Sequence, residues 1–129
     1  MSLGLKILLV FGSGGIGAVC RYLILIAMRE SMMGMSTWVV NSIGCFLIGV
    51  LAGWLGNTSC DWSETNRTIF TLCTMTGFCG GFSTFSAFTL DCVKYFERGQ
   101  IEIWVVFGTM TVFVGLFGCA LGYWLGRHI

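Results

Sequence analysis

The chain reads as an all-α membrane protein with four transmembrane helices, the third of them broken, and three observations carry that reading. Hydrophobic residues make up 56% of the 129 residues and charged ones only 10%, and the mean hydropathy is +0.86, a balance far from that of a soluble globule. The apolar residues gather in four segments, roughly 7–28, 37–55, 68–95 and 103–125, each close to the ~20 residues that a helix needs to cross the hydrocarbon core. The third segment carries Gly77, Gly80 and Gly81 ahead of Ser83 and Thr84 in a chain without proline, so a break at membrane depth has to come from glycine. Short loops join the spans into one four-helix transmembrane domain over residues 1–129.

The first span follows Lys6 and could pass for a signal peptide, but its length, its Arg21 and the three spans behind it mark a retained helix. Its Gly-Ser-Gly-Gly-Ile-Gly run at 12–17 matches the dinucleotide-fold glycine pattern, yet no alternating strands and helices follow and the first acid, Glu30, comes too early for a ribose contact. Close helix packing explains these glycines better, since Gly14, Gly17 and Arg21 fall on one face. Arg21 is costly at membrane depth; it is either an anchor that snorkels to the interface or a charge that draws anions into a vestibule.

In the second span Thr37, Asn41 and Gly44 share a face, and Gly49 and Gly53 form a GxxxG pair. An Asn in hydrocarbon must find a partner or water, so Asn41 is either interhelical glue or a path residue. A break at Gly80-Gly81 in the third span would free carbonyls able to hold a small cation, while the new helix N-terminus and its hydroxyl neighbours favour an anion. Phe85 and Phe88, spaced i, i+3, share a face beside it; they are packing residues or rings that turn positive edges toward an anion. In the fourth span Gly108, Thr111, Gly115, Gly118 and Gly122 run down one face.

Six of the seven cysteines, Cys20, Cys45, Cys73, Cys79, Cys92 and Cys119, fall inside the spans without a CxxC pair, as small packing residues do; Cys60 lies in a loop. Four spans put both termini on one side of the membrane. Lys6, Arg67 and Arg127 then stand on that side against Arg29, Lys94 and Arg98 on the other. Three against three gives no preferred orientation: either the chain inserts both ways, and two opposite copies would pair as an antiparallel, dual-topology homodimer, or so small a count does not decide and insertion reads only Arg29 and Arg98. No constellation of nucleophile, base and orienting group is present, and an enzyme is not expected.

Three segments then acquire a common meaning: Gly-Gly-Ile-Gly-Ala-Val-Cys-Arg-Tyr at 14–22, Asn-Ser-Ile-Gly-Cys-Phe-Leu-Ile-Gly at 41–49 and Thr-Gly-Phe-Cys-Gly-Gly-Phe-Ser-Thr-Phe-Ser-Ala-Phe at 76–88. In this order they resemble the fluoride channel family known as CrcB or Fluc, over nearly the whole chain. The resemblance implies a fluoride-selective channel of the bacterial cytoplasmic (inner) membrane, built as an antiparallel homodimer with two pores, surrounded by lipid and without a nucleic-acid partner. It makes Phe85 and Phe88 the aromatic pair of the anion path, Asn41 a pore donor beside them, Ser86 a hydroxyl between the rings and Arg21 the arginine near the entrance. It also implies that backbone carbonyls of Gly80 and Ser83, from both copies, hold a central structural sodium ion. The chain departs from the family pattern at Ser36-Thr37-Trp38 and in the fourth span, where Phe107, Thr111 and Gly115 stand in place of a longer polar track.

Two rivals have different signatures. A small multidrug transporter is also a four-span dual-topology dimer, but it needs a mid-span carboxylate to couple protons, and Asp91 sits near the end of the third span. A scaffold subunit would need only the glycine faces, leaving the third-span break and Asn41 without a role.

Overall fold

The structure, a computed structural model, describes residues 1–28, 34–57 and 62–129; Arg29, Glu30 and Cys60 lie outside the described residues. All described elements are helical. They run α1 (Leu3–Ala27), α2 (Met35–Asn57), α3 (Glu64–Phe70), a π-helical stretch (Thr71–Cys79), α4 (Gly80–Phe82), α5 (Phe85–Glu97) and α6 (Ile101–Gly126). The first, second and last spans of the sequence reading are thus α1, α2 and α6, each a few residues longer than expected, and all three are long and apolar enough to cross a membrane. The third is a composite: α3, the π stretch and α4 form one uninterrupted helical run over residues 64–82, and α5 resumes after two extended residues.

Local chemistry sets the ends. Ser63 caps α3 by accepting from the Asn66 amide at 3.2 Å, with Glu64 in the first turn on the positive end of the helix. Gly99, at φ +70°, ends α5. Its amide donates to Phe96 and the next amide, of Gln100, reaches back to Tyr95 at 3.1 Å, the Schellman pairing that satisfies the last carbonyls. A side chain at position 99 would be strained in that left-handed backbone, so this glycine makes the short turn into α6.

The helices associate in two pairs held by absent side chains. On α2 and α6, a Cβ at Gly49 would meet the Cys119 carbonyl, one at Gly53 the Tyr123 carbonyl, one at Gly122 the Phe46 carbonyl and one at Gly126 the Val50 carbonyl. The backbones therefore touch, as small residues permit in membrane helices. The other pair is α1 against the third span: Gly17 faces the Phe78 carbonyl and Gly81 faces the Gly14 carbonyl, again with no room for a Cβ. The expected glycine face of α6 holds from Gly115 to Gly122, whereas Gly108 meets nothing within 4 Å.

Between the pairs lies a small core of Val40, Cys79, Phe82, Phe88 and Tyr95. Outward faces carry Phe11, Leu23, Phe113 and Phe117, all more than half exposed. Such apolar surface is costly in water and neutral in lipid. The chain is an integral membrane protein.

Candidate functional site

The break in the third span defines the site, and it falls three residues later than the glycines suggested. Gly80 is ordinary α-helix at φ −65°, ψ −34°, and the chain turns extended only at Ser83 (φ −80°, ψ 157°) and Thr84 (φ −148°, ψ 122°). The expectation of a break at Gly80-Gly81 is corrected accordingly. Gly81 serves close approach instead, lying against the Gly14 backbone of α1.

Asn41 holds the break open. Its Nδ2 donates to the Thr84 carbonyl at 2.9 Å, and its Oδ1 accepts from the Thr84 amide at 2.8 Å. The side-chain amide thus pairs with one peptide group as a neighbouring strand would, satisfying at depth both polar atoms that the broken helix frees there. Asn41 accordingly finds its partner in the backbone of another span, and one Nδ2 hydrogen remains for a further acceptor.

On the N-terminal side of the break, the last helical bond runs from the Ser83 amide to the Cys79 carbonyl at 3.0 Å, and the Ser83 hydroxyl donates to the same carbonyl at 2.9 Å. A helix that ends there leaves its last four carbonyls, from Gly80 to Ser83, beyond the helical ladder. On the C-terminal side, Thr84 caps α5 by accepting from the Ala87 amide at 3.3 Å. The amides of Phe85 and Ser86 open the helix at its positive end.

A groove of about 400 Å³ runs past this point, lined by Asn41 and Cys45 of α2, Ser83, Thr84, Phe85 and Phe88 of the third span, and a face of α6 that includes Thr111, Gly115 and Cys119. Phe85 is 76% exposed on its rim while Phe88 is 9% exposed beneath it. Their ring centroids are 5.7 Å apart and tilted by 48°. Phe88 in turn lies 5.6 Å from Phe107, and Phe107 5.5 Å from Tyr95, so Phe107 on α6 supports the buried ring. The Thr111 hydroxyl donates to the Phe107 carbonyl at 2.6 Å.

The structure therefore brings Asn41, Ser83, Phe85 and Phe88 together. Ser86 is not on that groove: its hydroxyl is exposed, 3.2 Å from Thr84 Oγ1. Arg21 belongs to a second cavity of about 260 Å³, lined also by Tyr22, Ser36, Thr37, Thr84 and Ala87. Its Nε is buried without a hydrogen-bond partner among the described residues. Thr84 lines both spaces, so the clamped break is the wall they share.

One polar pair escaped the sequence reading. Asp91, set aside as lying near the end of its span, is 9% exposed and accepts from the Thr37 hydroxyl at 2.8 Å. The Lys94 ammonium lies 3.9 Å away, a reach typical of a weak, solvent-side ion pair. The signal was present in the spacing: Asp91 sits three residues past Phe88 on the buried face of α5, and Thr37 four residues before Asn41.

Residues 8–123 match the family model of the CrcB-like proteins, described as Camphor Resistance (CrcB). The chain is similar to a protein of Azobacteroides pseudotrichonymphae, 37% identical over 121 residues, covering 92% of this chain and 93% of the relative. It is similar to one of Gloeothece citriformis, 33% identical over 127 residues with coverage of 96% and 98%. A relative from Rhizobium johnstonii is 43% identical over 97 residues, 73% of each chain. All three bear the name fluoride-specific ion channel FluC. With its clamped third-span break between two glycine-packed helix pairs, and with a family match over nearly its full length, the chain belongs to the CrcB family.

Proposed function

We propose that the chain is a fluoride channel that lets fluoride leave the bacterial cytoplasm passively across the inner membrane, two copies pairing antiparallel with a path along each. The observation that carries this reading is the groove, in which Asn41, Phe85 and Phe88 stand together beside the positive end of α5. Fluoride is small and tightly hydrated, so a path must offer donors in place of water while staying too narrow for chloride. The spare Nδ2 hydrogen of Asn41, the first amides of α5 and the ring edges of the phenylalanines are donors of that kind. Arg21, in the adjoining cavity, raises the local anion concentration. Hydrofluoric acid enters neutral, ionises in the less acidic cytoplasm and leaves its anion trapped there, and the membrane potential drives that anion out.

The pairing has two supports. The charge count, three against three, permits both orientations. Phe85 is also left bare on the rim of an open groove. A second copy laid over the break would turn that groove into an enclosed path.

The carbonyls of Gly80 and Ser83 fit a hard monovalent cation, because they belong to the four that the helix end leaves beyond its ladder. Sodium bound there, with a pair of carbonyls from each copy, would supply positive charge that ties the two breaks together. The groove wall itself, through Asn41 and the rings, would select the anion.

Fluoride-electrode recordings from liposomes containing the pure protein test the proposal. Potassium fluoride efflux that starts on addition of a potassium ionophore is expected, with no comparable efflux of chloride. Vesicles that retain fluoride as protein-free ones do would overturn it.

A further inference from the structure

The groove contains two sulfur atoms for which the fluoride reading has no use. Asn41 and Cys45 lie one helical turn apart on α2, and Thr111, Gly115 and Cys119 follow one another at the same spacing on α6. All five line the groove. At Gly115 the α6 wall has no side chain, and a Cβ there would stand 3.3 Å from Cys45 Sγ; the thiol of α2 thus occupies space that α6 leaves open. Past Cys119 the two helices meet backbone to backbone at Gly49.

Donors on this stretch are scarce. The hydroxyl protons of Ser83 and Thr111 are both given to helix carbonyls, at 2.9 and 2.6 Å. Asn41 has given its oxygen and one hydrogen to Thr84. An S–H is a weak donor, but beside a strong acceptor in a water-poor groove it is worth more than in water.

We propose that Cys45 and Cys119 form a sulfur wall of the ion path: their S–H groups solvate the passing anion, and a soft cation such as Ag⁺ bound to them closes the path. The proposal rests on the fluoride reading above. Each thiol that takes silver releases its proton to water as the Ag–S bond forms, so no oxidant or reductant is involved, and thiolate sulfur is the ligand that soft cations prefer.

Fluoride efflux from liposomes is the measurement, in nitrate buffer free of chloride, with and without Ag⁺. Wild-type efflux should stop on addition of Ag⁺, and should still stop when Cys20 and Cys92, which lie outside the groove, are replaced by Ala. Cys45→Ala should lower the silver-free efflux by about fivefold, the factor that one neutral hydrogen bond represents. The Cys45→Ala/Cys119→Ala protein should carry its residual efflux undisturbed by Ag⁺. Full silver block of that double variant, or Cys45→Ala efflux equal to wild type, would overturn the proposal. A wild type that carries no fluoride would instead defeat the fluoride reading. In that case silver titration of the pure protein by native mass spectrometry still decides on the thiols: uptake equal in wild type and double variant rejects the sulfur wall.

Discussion

Asn41 does more at residue scale than its position on a polar face announced. The sequence made it a donor in search of a partner; the partner is the Thr84 peptide, forty-three residues away along the chain. No local pattern reveals a contact of that separation. Asn41→Ala removes both bonds and leaves a part-buried peptide unpaired, at a cost of about 2 kcal/mol. The variant should unfold at lower temperature in detergent and carry less fluoride, and an unchanged melting temperature would remove the clamp from the account. The rings are a separate matter. Phe85→Ile and Phe88→Ile keep apolar bulk but lose the positive edge, worth on the order of 1 kcal/mol. Either should reduce fluoride efflux several-fold while the protein elutes unchanged from a sizing column. Undiminished efflux in both variants would leave the rings as packing residues.

At the scale of elements, hydrophobic length was enough to find the helices. The spans expected at 7–28, 37–55 and 103–125 became α1, α2 and α6 with ends displaced by a few residues, because capping and interface contacts extend a helix past its apolar stretch. The third span was harder for two reasons. A cluster of glycines permits a break and permits close packing, and at Gly81 packing is the use made of it. The π-helical stretch over Thr71–Cys79 has the same apolar composition as α-helix and so no distinct signature; single π turns tend to mark functional places, and this longer stretch is separated from the break only by the short α4. Glycine contacts make a sharp prediction here. Gly122→Ala forces a methyl into the Phe46 carbonyl and should destabilise the α2–α6 pair by about 1–3 kcal/mol. Gly108→Ala, with nothing within 4 Å, should be neutral or mildly stabilising. Thermal unfolding of the two variants side by side checks this, and equal losses would contradict the packing described.

For the whole molecule, the balance of three cations against three predicts insertion both ways. Reporters fused to the C-terminus should register on both sides of the membrane, whereas labelling of Cys60 from a single side would show a fixed orientation. The fold itself was legible because lipid forces every backbone polar group into helices, and Phe85 and Phe88 were legible as neighbours of the interruption because they follow it directly along the chain, whereas Asn41 was set beside them only by the family resemblance. Asp91 and the division into two cavities were not legible, since both depend on how α5 settles against α2 after the break. The central claim is that this interruption carries fluoride and rejects chloride. Current across a planar bilayer holding the pure protein, with fluoride on one side and chloride on the other, measures it most directly. A reversal potential displaced far toward the fluoride equilibrium value is the expected result, and reversal near zero, with chloride carrying current as readily as fluoride, would contradict it.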